Sequence, residues 1–244
     1  MKDNFSNHAQ DYARYRPVYP EALYRYLFSL IPEKNRAWDC GTGNGQVAAE
    51  LSKVFKKVWA TDLSPEQIEF APKLPNVNYE IHFAEEAIEH SHEFDLVTVA
   101  QAIHWFDFDK FYKNVKQALK PDGIIAVIGY SVFKTDDDLN NVIQYFYKDI
   151  TDAYWDTERR YLDEDYLTIP FPFKEEVTPS FNIKVKWTKE HFYNYLNTWS
   201  AVKHYEKKEG MSPLNLIKEK VDENWGKNTE KEFIFPILLR VGKN

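Results

Sequence analysis

A single cysteine, Cys40, in a chain of 244 residues excludes an internal disulfide, and no Cys-x-x-Cys pair exists to begin a zinc site. No apolar run approaches the length of a membrane span. The opening "MKDNFSNHAQ" has no apolar centre and does not read as a signal peptide. These absences predict a cytoplasmic protein that engages no membrane. A positive surplus is missing too, since the formal net charge is −7. Binding along nucleic-acid phosphates wants a basic footprint, so no nucleic-acid partner is expected. The Lys pairs at 56–57 and 207–208 are too short to supply one and read as solvated helix ends or loops. Glycine is scarce, with eight in the chain, yet three of them fall within five positions, at Gly41, Gly43 and Gly45. What the chain does have is 43% hydrophobic and 16% aromatic residues, enough for a sizeable core.

Residues 1–20 form a polar and aromatic arm that closes with "YRPVYP". In "PEALYRYLFSLI", Leu23, Tyr26, Leu27, Leu30 and Ile31 share a face at helical spacing, and Pro20 suits the first turn. Strand "RAWDC" and helix "GQVAAELSKVF" come next, followed by strand "KVWATD" and helix "SPEQIEFA". Ser64 is the N-cap of that helix, with Pro65 after it and Gln67 three positions on. "VNYEIHFA" is a third strand. "FDLVTVAQA" is nearly all apolar, as suits a strand buried on both faces. Helix "DFDKFYKNVKQAL" is stopped by Pro121 and Gly123 before strand "GIIAVIGYS". This alternation predicts an α/β, Rossmann-like, doubly wound and mostly parallel sheet of seven strands. The rhythm breaks after Ser131. Residues 134–178 are too long for an ordinary connection and read as a helical cap inserted after the fifth strand. Strands "FNIKVKW" and "EFIFPILLRVG" end the pattern, with helices at about 188–206 and 212–225 between them. The chain, 1–244, reads as one domain.

A strand, a glycine turn and a helix start together place a ligand against free backbone N–H groups. The dinucleotide version is G-x-G-x-x-G with pyrophosphate at the helix start. Here the spacing is Gly41-x-Gly43-x-Gly45, behind Asp39. An acid at that point repels a pyrophosphate and suits an ammonium or sulfonium. Asp62 ends the second strand, 21 residues after Gly41, where a carboxylate accepts hydrogen bonds from ribose hydroxyls. S-adenosylmethionine has a ribose, a positive charge and no bridging diphosphate.

Asp39-Cys40-Gly41-Thr42-Gly43-Asn44-Gly45, then Asp62, then "LKPDGIIAV", resembles the class I S-adenosylmethionine-dependent methyltransferases. "YARYRPVYP", "QAIHWFD" and "NTWSAV" are similar to the small-molecule branch that includes the trans-aconitate methyltransferase-like (methyltransferase type 11) enzymes. The resemblance implies that Gly41 and Gly43 let the backbone approach the methionine part and the ribose. Asp39 would hold the amino group and Asp62 the ribose hydroxyls. Leu63 would pack on the adenine, and Ala84 and Glu85 would meet its edge, with Glu86 able to serve in place of Glu85. Gln101 would lie beside the ligand, and Tyr12 and Arg16 would close over its carboxylate end. The implied reaction is an in-line methyl transfer to a small-molecule acceptor, a carboxylate or another oxygen nucleophile, by a monomer or homodimer. Two other activities stay open: methyl transfer to RNA or protein, and cofactor binding without catalysis.

His104 lies just past the fourth strand. It reads either as a group that orients or deprotonates the acceptor or as a structural histidine capping the next helix, and Trp105 reads as pocket wall. Cys40 reads as a small buried hydrophobe. His90 and His92 share no helical face and lack further ligands, so no metal is expected. Residues 5–19 of the arm and the segment 134–178 are expected to close over the cofactor from two sides.

Overall fold

Six of the seven positions in "FDLVTVA" are buried in the folded chain, a pattern stable only between two covering layers. The computed structural model describes residues 14–244. In chain order the elements are α1 (Glu21–Ser29), β1 (Arg36–Cys40), α2 (Gln46–Ser52), β2 (Lys57–Asp62), α3 (Pro65–Glu69), β3 (Val77–Ile81), β4 (Phe94–Ala100), α4 (Phe108–Ala118), β5 (Leu119–Tyr130) and α5 (Asp137–Tyr145). They continue with α6 (Arg160–Asp163), β6 (Lys174–Glu176), β7 (Asn182–Thr188), α7 (Lys189–Asn197), α8 (Ser200–Glu209), α9 (Lys218–Trp225) and β8 (Glu230–Lys243). The strand order is β3-β2-β1-β4-β5-β8-β6, with β7 paired to β8. Neighbours from β3 through β5 are parallel, and β8 is antiparallel to β5, β6 and β7. The chain order reverses between β1 and β4, which opens a crevice at their carboxyl ends.

The sheet is α/β and mostly parallel as expected, but it has eight strands rather than seven. The added strand is β6, three charged residues that carry no apolar alternation to read. The length of β8 adds no strand but gives it two sets of partners. Its second half pairs with β5 from Ile124↔Lys243 to Tyr130↔Ile237, while its first half runs on to pair with β7 from Asn182↔Pro236 to Thr188↔Glu230.

Period-2 alternation divides the central strands between two cores. On the α4 face, Trp38 and Trp59 lie 5.0 Å apart by ring centroid, and Trp59 stacks on Phe94 at 6.0 Å. On the other face Ala37, Ala60 and Ala126 present small side chains to α1 and α2. A third cluster joins α5, α7 and α9 to β7 and the outer half of β8 through Phe133, Trp187, Phe192 and Phe233. The stretch 134–178 therefore serves two bodies. α5 belongs to this outer cluster, whereas Leu162, Tyr166 and Ile169 join the α4-face core. The expected long helix at 188–206 is two helices, because Trp199 is extended (φ −72°, ψ 133°) at the start of α8.

Ser64 caps α3 as expected, accepting from the Gln67 N–H at 3.1 Å. Gly45, at φ +77°, opens α2, and a Cβ there would sit 2.6 Å from Tyr79 Oη and 3.1 Å from Ala71 Cβ. Gly210, at φ +72°, ends α8 with nothing within 4 Å of the same position. Gly45→Ala should therefore cost roughly 2–4 kcal/mol, left-handed strain plus overlap, and Gly210→Ala only about 1–2 kcal/mol of strain. Urea unfolding midpoints measure both, and equal losses would show that Tyr79 and Ala71 yield to the added methyl.

Candidate functional site

The chain leaves β1 through Gly41, Gly43 and Gly45, all left-handed, at φ +67°, +54° and +77°. A Cβ on Gly41 would lie 2.6 Å from Ala102 Cβ, so the turn presses against the exit of β4. Gly43 is open, its nearest neighbour, Gln67 Oε1, being 3.8 Å from the same point. The Gly43 N–H donates to Asp62 Oδ2 (2.7 Å), and the Ser64 N–H donates to Oδ1 (2.9 Å). These bonds fix the carboxylate at the rim.

Asp39 is buried below the turn, where it accepts from Thr42 Oγ1 (2.5 Å) and Thr98 Oγ1 (2.7 Å). Burial pushes its carboxyl up to about 6, although those hydroxyls and the Ala48 amide oppose the shift. The same burial pushes the neighbouring Cys40 thiol well up, leaving it a buried thiol.

A cavity of about 1050 Å³, open mouth included, covers the carboxyl ends of these strands. Asp39, Gly41, Gly43, Asp62, Leu63, Ala84, Gln101, Arg16 and Trp105 all line it, together with His82 and Tyr130. Among the described residues the lining has two carboxylates, one arginine and no lysine. Glu85 is a correction to the expected set, because it lies outside this cavity. Its Oε1 accepts from the Asp107 N–H (3.1 Å) ahead of α4, in a shallow depression with Phe108 and Lys110. Glu86 does not replace it, since its Oε2 accepts from the Phe83 N–H (3.3 Å) within the turn. Tyr12 lies outside the described residues.

Arg16 bridges two distant elements. Nη1 donates to Tyr130 Oη (3.3 Å), Nη2 donates to the Thr198 carbonyl (3.1 Å), and the guanidinium lies 5.3 Å above the Tyr195 ring. Beyond it is a second cavity, whose lining includes His104, Trp155, Asp156, Arg159 and Trp199. Arg16, Gln101, Trp105 and Tyr130 line both cavities. Gln101 holds the boundary in a left-handed conformation (φ +55°), donating from its N–H to the Ile128 carbonyl (2.9 Å) and from Nε2 to the Tyr130 carbonyl (3.1 Å).

His104 belongs to the second cavity alone of these two. Its Nδ1 is 3.1 Å from Tyr166 Oη. Burial pushes its imidazole down to about 3, and the Arg159 charge acts in the same direction, so the ring is neutral at neutral pH. It does not cap the next helix, since Asp107 does so by accepting from the Lys110 N–H (3.2 Å). Sequence reasoning missed Arg159, which sits in "DTERRY" and has the look of a solvated turn, and it missed His82 for want of any motif around it. Among the described residues no helix is long and apolar enough to cross a membrane.

Residues 38–127 match the family model described as a methyltransferase domain. A Dictyostelium discoideum protein described as a methyltransferase is 34% identical over 221 residues, covering 89% of this chain and 84% of that one. Methyltransferase cfoB of Aspergillus candidus is 33% identical over 128 residues, 47% of this chain and 40% of that protein. Among solved structures, a protein of Anaeromyxobacter dehalogenans described as a type II methyltransferase is similar with a TM-score of 0.86 and 33% identity, over 93% of this chain and 97% of that one. With its glycine turn, paired acids and strand order, the chain belongs to the class I S-adenosylmethionine-dependent methyltransferases.

Proposed function

We propose that the protein moves a methyl group from S-adenosylmethionine to an oxygen of a small molecule seated in the second cavity, a carboxylate being the favoured nucleophile. The observation that carries this is the pair of cavities meeting at Arg16, Gln101, Trp105 and Tyr130. The first suits the cofactor. Gly43 leaves backbone exposed, the buried Asp39 carboxyl meets no cation among the described residues, and Asp62 stands fixed at the rim. In this arrangement Asp39 holds the amino group, Gly41 and Gly43 admit the main chain to the methionine part, and Asp62 takes the ribose hydroxyls. Leu63 and Ala84 pack against the adenine, and Arg16 meets the carboxylate end.

The bound cofactor supplies an activated methyl: the acceptor O–CH3 bond forms as the S–CH3 bond breaks, and the bonding pair leaves with sulfur as S-adenosylhomocysteine. The chain aligns the acceptor and excludes water. His104, with its imidazole down at about 3, is a poor proton acceptor and serves to orient the acceptor by hydrogen bonding. A carboxylate acceptor needs no base, which fits that environment. The tryptophan-walled second cavity and the net charge of −7 both favour a small molecule over RNA.

Calorimetry should show binding of S-adenosylhomocysteine and none of NAD, and labelled cofactor should mark a small-molecule methyl ester or ether from a metabolite extract. NAD binding without a response to S-adenosylhomocysteine would overturn the assignment. Asp62→Ala should keep the native circular dichroism and lose about tenfold or more in cofactor affinity, the worth of a charge-assisted hydrogen bond. Unchanged affinity would remove Asp62 from the ribose site.

Asp39 predicts a pH dependence. Its carboxyl ionises only above about 6, and the proposed contact with an ammonium needs the ionised form. Affinity for S-adenosylhomocysteine should therefore be flat around neutral pH, where carboxylate and ammonium are both charged. It should fall as pH drops below about 6, approaching tenfold per unit, and Asp39→Asn should bind weakly without that slope. Titrations between neutrality and mild acid check it.

A further inference from the structure

Arg159 ends the short turn Thr157–Arg159 before α6 and lines the second cavity but not the first. Its side chain is 20% exposed. Nε donates to Tyr147 Oη (2.8 Å), which itself donates to Asp163 Oδ1 (2.6 Å). The guanidinium carbon lies 4.7 Å from the Trp155 ring centroid and 5.3 Å from that of Tyr147. One hydrogen bond, an ion pair of Nε with Asp163 Oδ1 (3.6 Å) and two rings thus set the group in place. Among the described residues no hydrogen bond engages either terminal nitrogen.

The other charged groups of this lining are already committed. Arg16 donates to Tyr130 and Thr198. Asp156 has a side chain only 10% exposed, with Oδ2 3.9 Å from His204 Nδ1. His104 is neutral and held against Tyr166. Among the described residues this lining holds two guanidinium groups and one carboxylate, and the ion pair of Arg159 with Asp163 runs through Nε and leaves its terminal nitrogens open. A partly desolvated, pre-set guanidinium with open terminal N–H groups is a bidentate carboxylate receptor. Arg159 is absent from the shared boundary, so a group bound to it is not the group that meets the methyl.

We propose that Arg159 anchors a carboxylate of the methyl acceptor while a second oxygen of the same molecule receives the methyl at the Gln101–Tyr130 boundary. The acceptor is then an organic acid with a second oxygen nucleophile, a hydroxyl or another carboxylate, on a body that lies among Trp105, Trp155 and Trp199. This rests on the second cavity being the acceptor site. The anchored carboxylate is unchanged by the reaction. No proton moves when the methylated oxygen is a carboxylate, and a hydroxyl's proton passes to water.

The test uses protein saturated with S-adenosylhomocysteine and a library of small hydroxy acids and dicarboxylates, each paired with the amide of one carboxylate. Thermal shift finds ligands and calorimetry measures them. In the wild-type protein acids should bind at least tenfold more tightly than their amides. Arg159→Gln should remove that preference, Arg159→Lys should keep part of it, and both variants should bind S-adenosylhomocysteine as the parent does. Acids binding no better than amides throughout the library, or a preference that survives Arg159→Gln, would overturn the proposal. A wild-type protein that fails to bind S-adenosylhomocysteine would instead overturn the cofactor assignment, before any acid is added.

Discussion

The left-handed turn after β1 is the constraint on which the rest of the site depends. Its three glycines fit between Ala102 at the exit of β4, Asp62 at the end of β2 and Tyr79 of β3, so one turn fixes the relative positions of four strand ends. Cβ atoms at Gly41 or Gly45 would overlap those neighbours at 2.6 Å, while Gly43 meets nothing closer than 3.8 Å. Two of the three glycines thus satisfy the packing of the protein itself, and one leaves room on the main chain. The positive φ values that let the backbone approach a ligand also close the floor of the cavity.

Desolvation sets the chemistry of both cavities. Among the described residues Asp39 has hydrogen-bonding partners but no cation beside it, and burial raises its carboxyl despite those partners. His104 is pushed the other way by the same burial and becomes a neutral hydrogen-bonding ring. Each group is costly in its charged form. Arg159 belongs to the same scheme, since the aromatic rings beside it remove water from a charge that cannot be discharged.

The two cavities draw on different parts of the chain. The first is built chiefly from the strand ends and turns between residues 39 and 106. The second takes Trp155, Arg159, Tyr195 and Trp199 from the region beyond β5. Arg16 joins them through Tyr130 and Thr198. A change in the outer region can therefore alter the second cavity while the glycine turn stays as it is, a physical route by which one cofactor scaffold accommodates different acceptors.

The sequence by itself determined the parallel α/β core, the glycine turn, and the acids at Asp39 and Asp62. Each follows from local chemistry: period-2 and period-3.6 patterns, positive φ at glycine, and a carboxylate at a strand end. Ser64 at the start of α3 was legible for the same reason. The eighth strand was not, because β6 has only three residues, and neither was the change of partners halfway along β8, which leaves its own pattern unchanged. Glu85 and Glu86 could not be placed from sequence, since the direction each side chain takes out of one turn depends on the Asp107 and Phe83 amides it meets. Arg159 reads as a surface charge until Tyr147, Trp155 and His104 are brought around it from separate segments. The local pattern does not show which way these side chains turn, and only the folded chain decides whether a charge faces water or a cavity.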